Sequence, residues 1–405
     1  MRPLIPLRWL VLGVFVLSSG LNYLDRLIMA NLAPVLRTEF QLSNADYGLI
    51  LSAFSIVYAA SAPFAGLFID RVGLNRGISL AVGIWSVITV ATGTANGLPA
   101  LVGCYALLGL AQAGGIPASG KAIASYLRID ERAFGSAASQ IGISLGAMLA
   151  PPLAIGLALG YGWRLAFVIP GAAGLLWIPL WNWVARLAPR QESDSNGRLA
   201  GAGQVIRDRR LWGFVIANIL SMTVYTLWTN WTTLYLVQAR RLSLAETASL
   251  AWIPPLFANL GGLLGGWLSL RWVRRGAGPV SARMRACLVG ALALLVTALV
   301  PWMPSAGWAV AAISLSFFWV AAMSVNLYSL PLDVFGAAHA AFTVSMLTAA
   351  YGGMQAVFSP LAGALIDRWG FQPVCVLAAV MPLAGFGALR WAVGRESGVR
   401  TQESE

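Results

Sequence analysis

Charge is what this sequence has least of. Only 10% of its 405 residues are charged, where a soluble protein carries about 25%. There is one histidine, His339, and there are three cysteines, Cys104, Cys287 and Cys375, each inside an apolar run. That scarcity excludes a disulfide framework and a spaced metal site. His339 has no nucleophile beside it to activate, and no phosphate-binding loop is present, so no cofactor or metal is expected and an enzyme is the class the sequence supports least. Lysine is nearly missing too: Lys121 is the single one among 27 basic residues.

What is there is apolar. Hydrophobic residues make up 58% of the chain and mean hydropathy is +0.74, more than a water-soluble fold can hide. The chain is therefore expected to be a polytopic, all-α membrane protein. Its net charge of +12 is assigned to cytoplasmic loops against anionic lipid and not to nucleic-acid binding. The apolar start up to Gly20 resumes after Arg26, which makes it a spanning helix and not a signal peptide.

Twelve spans are expected, near 9–36, 45–69, 77–95, 99–127, 134–159, 163–187, 209–238, 246–272, 284–303, 306–333, 339–366 and 370–393. Arginines cluster in alternate connections, among them Arg71 and Arg76, Arg128 and Arg132, Arg186 to Arg210, and Arg271 to Arg285. The excess of positive charge on that side places both termini in the cytoplasm. The one long polar connection, 189–208, separates an N-terminal bundle (1–188) from a C-terminal bundle with a short tail (209–405). The halves echo each other: Gly66–Arg76 follows the second span and Gly266–Arg275 follows the eighth. Two parallel six-helix repeats are a transporter architecture.

Within the first span lies Asn22-Tyr23-Leu24-Asp25-Arg26. An acid or an arginine at the centre of a spanning helix costs about 2.5–3.5 kcal/mol. Adjacent helical residues point about 100° apart, so these two are poorly placed to neutralise each other. They mark a functional site facing a polar interior, or else ion pairs that lock helices together.

The run Gly66-x-x-x-Asp70-Arg71-x-Gly73-x-x-Arg76 resembles the signature loop of the major facilitator superfamily. The resemblance implies a twelve-helix fold in two pseudo-symmetric bundles and a latch on one access state, built from Gly66, Asp70, Arg71 and Arg76. The alternative is a charged loop that only sets topology. In the echo Leu270 stands where an aspartate is usual, so that latch is expected to be weaker. A second run, Gly142 to Pro152, is taken as structural, with glycines for close contact and prolines for a kink.

Asn22–Arg26, Pro117-Ala-x-x-Lys121, Gly162–Phe167, Tyr235–Arg240, Ala251–Pro254 and Asn326–Asp333 are similar to the anion:cation symporter branch, particularly its hexuronate transporters. That similarity implies a substrate-binding set. Arg26 would take the substrate carboxylate bidentately, Asn22 one turn away would meet hydroxyls, and Tyr23 and Tyr58 would touch a sugar acid. Asp25 would carry the proton. Lys121 is either a substrate contact or a side chain snorkelling to the cytoplasmic face. Tyr225, Trp228 and Trp231, with Asn326, suit a sugar-like ligand or a plain packing stripe.

The sequence also departs from that branch. Gln112 stands where a glutamate is usual, and Asn259 where an aspartate is often found. Glutamine cannot titrate. Asp25 is left as the carboxylate of the membrane core, in a site of net positive charge that favours an anion. The expected protein is a monomeric secondary transporter of a small organic anion in the inner membrane, with a hexuronate or related sugar acid as substrate and a proton as co-substrate. The alternative is an uncoupled facilitator or exporter of another metabolite.

Overall fold

In the computed structural model the described residues are 7–128, 131–187 and 202–393. They form α1 (Leu7–Phe40), α2 (Asn44–Val72), α3 (Leu74–Thr92), α4 (Leu98–Gln112), α5 (Gly115–Tyr126), α6 (Arg132–Tyr161), α7 (Trp163–Val184), α8 (Ala202–Arg207), α9 (Arg209–Gln238), α10 (Leu244–Leu250), α11 (Ile253–Arg274), α12 (Pro279–Ala293), α13 (Val296–Leu299), α14 (Ala306–Phe335), α15 (Ala337–Trp369) and α16 (Phe371–Val393). Among the described residues there are twelve helical stretches long and apolar enough to cross a membrane, and no strand. Most of the 189–208 connection lies outside the described residues, as does the C-terminal tail with Arg395 and Arg400.

Three of the twelve spans are broken helices, where uninterrupted ones were expected. The fourth divides at Ala113–Gly114 into α4 and α5. Pro117 has no N–H for the Ala113 carbonyl, and Gly114-Gly115 resist the helical conformation least. The eighth divides between α10 and α11 for the same reason, with Pro254 and Pro255 just past the break. The ninth passes from α12 through α13 into a 3-10 turn containing Pro301. By contrast, α6 runs unbroken through Pro151 and Pro152, as lipid-embedded helices can when neighbours accommodate the freed carbonyls.

The signature loop is short for a physical reason. Gly73 alone joins α2 to α3 with φ +87°, and its N–H closes α2 on the Ile69 carbonyl at 3.0 Å. An L side chain would strain that conformation. Gly276 repeats the device after α11, with φ +92° and its N–H on Val273 at 2.9 Å.

Two compact units emerge. One comprises Met1–Gly197 with Leu236–Trp252, the other Arg198–Tyr235 with Ile253–Glu405. The end of α9 and all of α10 thus group with the first unit.

Inside the first unit, α1 lies on α6, α2 on α4, and α3 on α7. Each seam is zipped by glycine. A Cβ added at Gly146 would overlap the Gly20 carbonyl oxygen, and one at Gly142 would come within 2.7 Å of the Val16 oxygen. Gly109 meets the Phe54 carbonyl on α2 in the same way, and Gly174 the Ser86 hydroxyl on α3. Lipid tails are as apolar as leucine, so this close van der Waals contact supplies much of the cohesion. Trp177 adds a tie from α7 to α1, its indole N–H on the Val14 carbonyl at 2.6 Å. In the second unit α11 and α14 meet at Gly261 and Gly265, whose missing side chains admit the Phe318 and Ala322 carbonyls.

The α1–α6 seam fixes the height and rotation of Asn22–Arg26, so it can be tested directly. Gly146→Val is expected to lower stability by about 1–3 kcal/mol through overpacking. Gly156→Ala, where nothing lies within 4 Å of the added Cβ, is expected to leave it unchanged. Thermal unfolding in detergent, followed by tryptophan fluorescence, reads both.

Candidate functional site

The site grows out of the middle of α1. Positions 18, 22, 25 and 29 share one helix face, and Ser18, Asn22, Asp25 and Met29 are all buried. Tyr23 and Arg26 turn toward a half-buried face. The helix therefore sends the acid and the base in different directions, and no ion pair joins them among the described residues.

Arg26 is held by two helices besides its own. Its Nε donates to Gln112 Oε1 on α4 at 3.4 Å. The same amide uses its nitrogen to donate to the Asn22 backbone carbonyl at 3.2 Å. Gln112 is itself almost fully buried, so one side chain bridges α4 to α1 at two points. Around the guanidinium stand three rings: Phe54 at 4.7 Å, Tyr58 at 4.9 Å and Tyr23 at 5.2 Å from its central carbon. Phe54 and Tyr58 stack on each other one turn apart on α2. Each cation–π contact contributes about 0.5–2 kcal/mol, more where water is scarce. The approach of α2 that brings them here depends on Gly109, as described above. The terminal nitrogens of Arg26 have no hydrogen bond among the described residues, so most of its planar donor fork is left for a ligand.

Asp25 points the other way, 1% exposed. Neither carboxylate oxygen has a hydrogen-bond partner among the described residues. Thr89 on α3 is the hydroxyl beside it, and that hydroxyl donates to the Trp85 carbonyl at 2.9 Å. Tyr105 on α4 lies within electrostatic reach. A bare carboxylate in such a place is costly.

The other expected site residues fare differently. Lys121 Nζ donates to the Ile69 carbonyl at 3.2 Å, fastening α5 to the end of α2 just before the signature loop. Gly66 on α2 faces Pro117 on α5, where an added Cβ would sit 3.8 Å away in ordinary contact. Arg71 and Arg76 are exposed, and the Asp70 side chain lies outside the described residues.

Trp228 and Asn326 belong to the second unit. Asn326 is fully buried in the α11–α14 seam. Its side-chain nitrogen donates to the Gly265 carbonyl at 3.0 Å and to Ala322 at 2.9 Å. The amide nitrogen takes part in a helix crossing, and the amide oxygen has no hydrogen-bond partner among the described residues. Trp228 is 1% exposed and stands edge-on to Tyr235, and its indole N–H has no hydrogen-bond partner among the described residues. Asn259 likewise turns to its own helix, bonding the Pro255 carbonyl at 3.1 Å. The ion pair Arg283–Asp333 ties α12 to α14.

Some members were missed in the sequence. Phe54 carries the shortest ring contact to Arg26, and its spacing from Tyr58, one helical turn, was available as a signal. In the second unit Tyr225, Tyr351 and Gln355 form a half-buried polar aromatic group, with Tyr225 and Tyr351 ring centroids 6.5 Å apart and the Gln355 nitrogen 3.5 Å from the Tyr351 hydroxyl. Tyr351 and Gln355 are one turn apart on α15, but nothing in the sequence singles out that pair.

Twelve candidate spans, with a half-buried arginine and a buried acid in the first, define an integral multi-pass membrane transporter and not an enzyme. The sequence profile of the Major Facilitator Superfamily matches residues 15–347, and the chain belongs to that superfamily. It is 29% identical over 411 residues to the hexuronate transporter of Escherichia coli (strain K12), covering 95% of this chain and 94% of that one. It is also 29% identical to the probable sulfoacetate transporter of Cupriavidus necator, covering 96% and 94%. Among solved structures, a bacterial homologue of the human lysosomal transporter Spinster matches with TM-score 0.76 at 21% identity over 96% of both chains, a likeness of fold.

The assignment of Asn326 to the helix seam makes a definite expectation. Asn326→Ala removes both hydrogen bonds and should destabilise the protein by about 1–3 kcal/mol, visible as a lower thermal midpoint. An unchanged midpoint with weakened substrate affinity would return Asn326 to the ligand.

Proposed function

We propose that this chain is a secondary transporter of a small organic anion, of the hexuronate class, working by alternating access as a monomer in the inner membrane with both termini cytoplasmic. Its two functional halves are the repeats 1–188 and 209–405, joined by 189–208. The observation that carries the proposal is Arg26: a guanidinium inside a span, oriented by a neutral amide, ringed by Phe54, Tyr58 and Tyr23, and without a carboxylate of its own. A planar fork left in that state is complementary to a carboxylate or sulfonate. The relatives transporting hexuronates and, by name, sulfoacetate support the same anionic chemistry. The hydroxyls of Tyr23 and Tyr58 and the Asn22 amide supply the polar contacts a sugar acid needs. Gly66, Asp70, Arg71 and Arg76 act as the latch on one access state, with Lys121 steadying the helix end beside it.

Asp25 carries the co-transported proton. Buried with the Thr89 hydroxyl beside it, a charged Asp25 is costly unless the surroundings rearrange or water enters. That requirement is the physical link between proton occupancy and conformation. A second possibility, uncoupled facilitation, is favoured by one feature: Gln112 offers no second titratable group beside Arg26.

Uptake of labelled glucuronate and galacturonate into vesicles, with and without an inward proton gradient, tests these assignments. Arg26→Ala should reduce uptake by about a hundredfold or more, and Arg26→Lys should recover only part of it, since an ammonium lacks the fork. Asp25→Asn should keep anion exchange and lose the response to the gradient. Uptake by the parent that ignores the gradient assigns the chain to facilitation, and uptake that survives Arg26→Ala removes the anion receptor from α1.

A further inference from the structure

The Gln112 side chain touches both the Arg26 guanidinium and the α1 backbone, and it touches them with opposite polarity. Its Oε1 accepts from Arg26 Nε, and its Nε2 donates to the Asn22 carbonyl. Only a group that carries an acceptor and a donor on one planar end can do both. A carboxylate cannot, because its second oxygen would face the Asn22 carbonyl oxygen. A protonated carboxyl can, by donating its O–H to that carbonyl. The amide of Gln112 therefore reproduces, without a titratable proton, the arrangement that an acid at this position would adopt only when protonated.

We infer that Gln112 is a positioning residue that keeps the Arg26 anion receptor permanently assembled, so that the binding of the anion at α1 does not depend on protonation at position 112. This deepens the anion-transport reading above and rests on it. The consequence is a division of labour. No acid at position 112 competes with the ligand for Arg26, and any proton dependence must enter elsewhere. The charged and titratable groups around the amide are Tyr23, Asp25 and Arg26 from α1, Tyr58 from α2, Tyr105 from α4 itself and Lys121 from α5, whose ammonium is engaged with Ile69. α3 carries only Arg76, exposed at its start, and presents the Thr89 hydroxyl to Asp25. Asp25 is the one carboxyl in that set. The substrate class that fits is an anion whose charge is constant over the working range, a carboxylate or sulfonate, recognised by the free Arg26 nitrogens at any pH.

The test is binding of D-glucuronate to purified full-length protein in detergent, from about pH 5.5 to about pH 8.5, for the parent, Gln112→Glu, Gln112→Leu and Arg26→Ala. Gln112→Glu should match the parent at the acid end. Once the introduced carboxyl ionises it loses the Asn22 carbonyl and pairs with Arg26 in competition with the ligand, so affinity should fall by about tenfold per pH unit relative to the parent. Gln112→Leu should bind more weakly at every pH while keeping the parent's slope. Because each variant is compared with the parent, the contribution of Asp25 cancels. Gln112→Glu that follows the parent at every pH, or Gln112→Leu that binds as the parent does, overturns the inference.

A second readout separates this inference from the substrate assignment. If the parent and Arg26→Ala bind glucuronate equally poorly, the anion reading fails, and the thermal midpoint without ligand still reports on the bridge. The midpoint of Gln112→Glu should equal the parent's at low pH and drop below it as pH rises, because the bridge is lost when the introduced carboxyl gives up its proton. A gap that does not change with pH contradicts the bridge.

Discussion

A guanidinium held inside a membrane-spanning bundle must be given partners, and the partners it is given decide what the protein does. Arg26 has an amide and three aromatic rings. None of these neutralises its charge. They orient it and lower the cost of keeping it away from water. A carboxylate partner would have stabilised the resting protein more and spent the receptor. In the proposed reading the site trades resting stability for the capacity to bind an anion, as functional sites commonly do.

The rest of the first unit follows from that need. Two helices must come close enough to α1 and α4 to set the amide and the rings within reach, and bulky side chains at the crossings would prevent it. Gly20, Gly142 and Gly146 let α1 settle on α6, and Gly109 lets α4 settle against the backbone of Phe54. The break between α4 and α5, forced by Pro117 after Gly114-Gly115, ends α4 at Gln112. The bridging amide therefore sits on the last turn of a half-helix. The lone lysine lies on the far side of the same break and anchors α5 to the end of α2.

Much of this could be read from the chain before any coordinates. Long apolar runs separated by arginine clusters give the spans, and the rarity of charge in them makes Asp25 and Arg26 conspicuous. The glycine-rich run of α6 was legible as structural, and it is the seam against α1. Direction was harder. Asn326 and Trp228 have the residue types of a sugar site, and the fold gives the Asn326 nitrogen the Gly265 and Ala322 carbonyls and sets Trp228 against Tyr235. A polar group in lipid must be satisfied somewhere, and sequence does not say whether a ligand or a helix satisfies it. Lys121 was open between two roles, and the partner the fold gives it, the Ile69 backbone carbonyl, carries no sequence signal. The part played by Phe54 was marked only by its one-turn spacing from Tyr58, since an aromatic ring under a cation otherwise looks like any other apolar residue of a span.

The central claim is that Arg26 reads the negative charge of the substrate. The most direct measurement is the ratio of affinities for D-glucuronate and D-glucose, which differ at one carbon, in the parent and in Arg26→Ala. If Arg26 is the receptor, the parent should prefer the acid by about a hundredfold or more, and the preference should collapse to near unity in the variant. A preference that survives the loss of Arg26 contradicts the account and places charge recognition elsewhere in the protein.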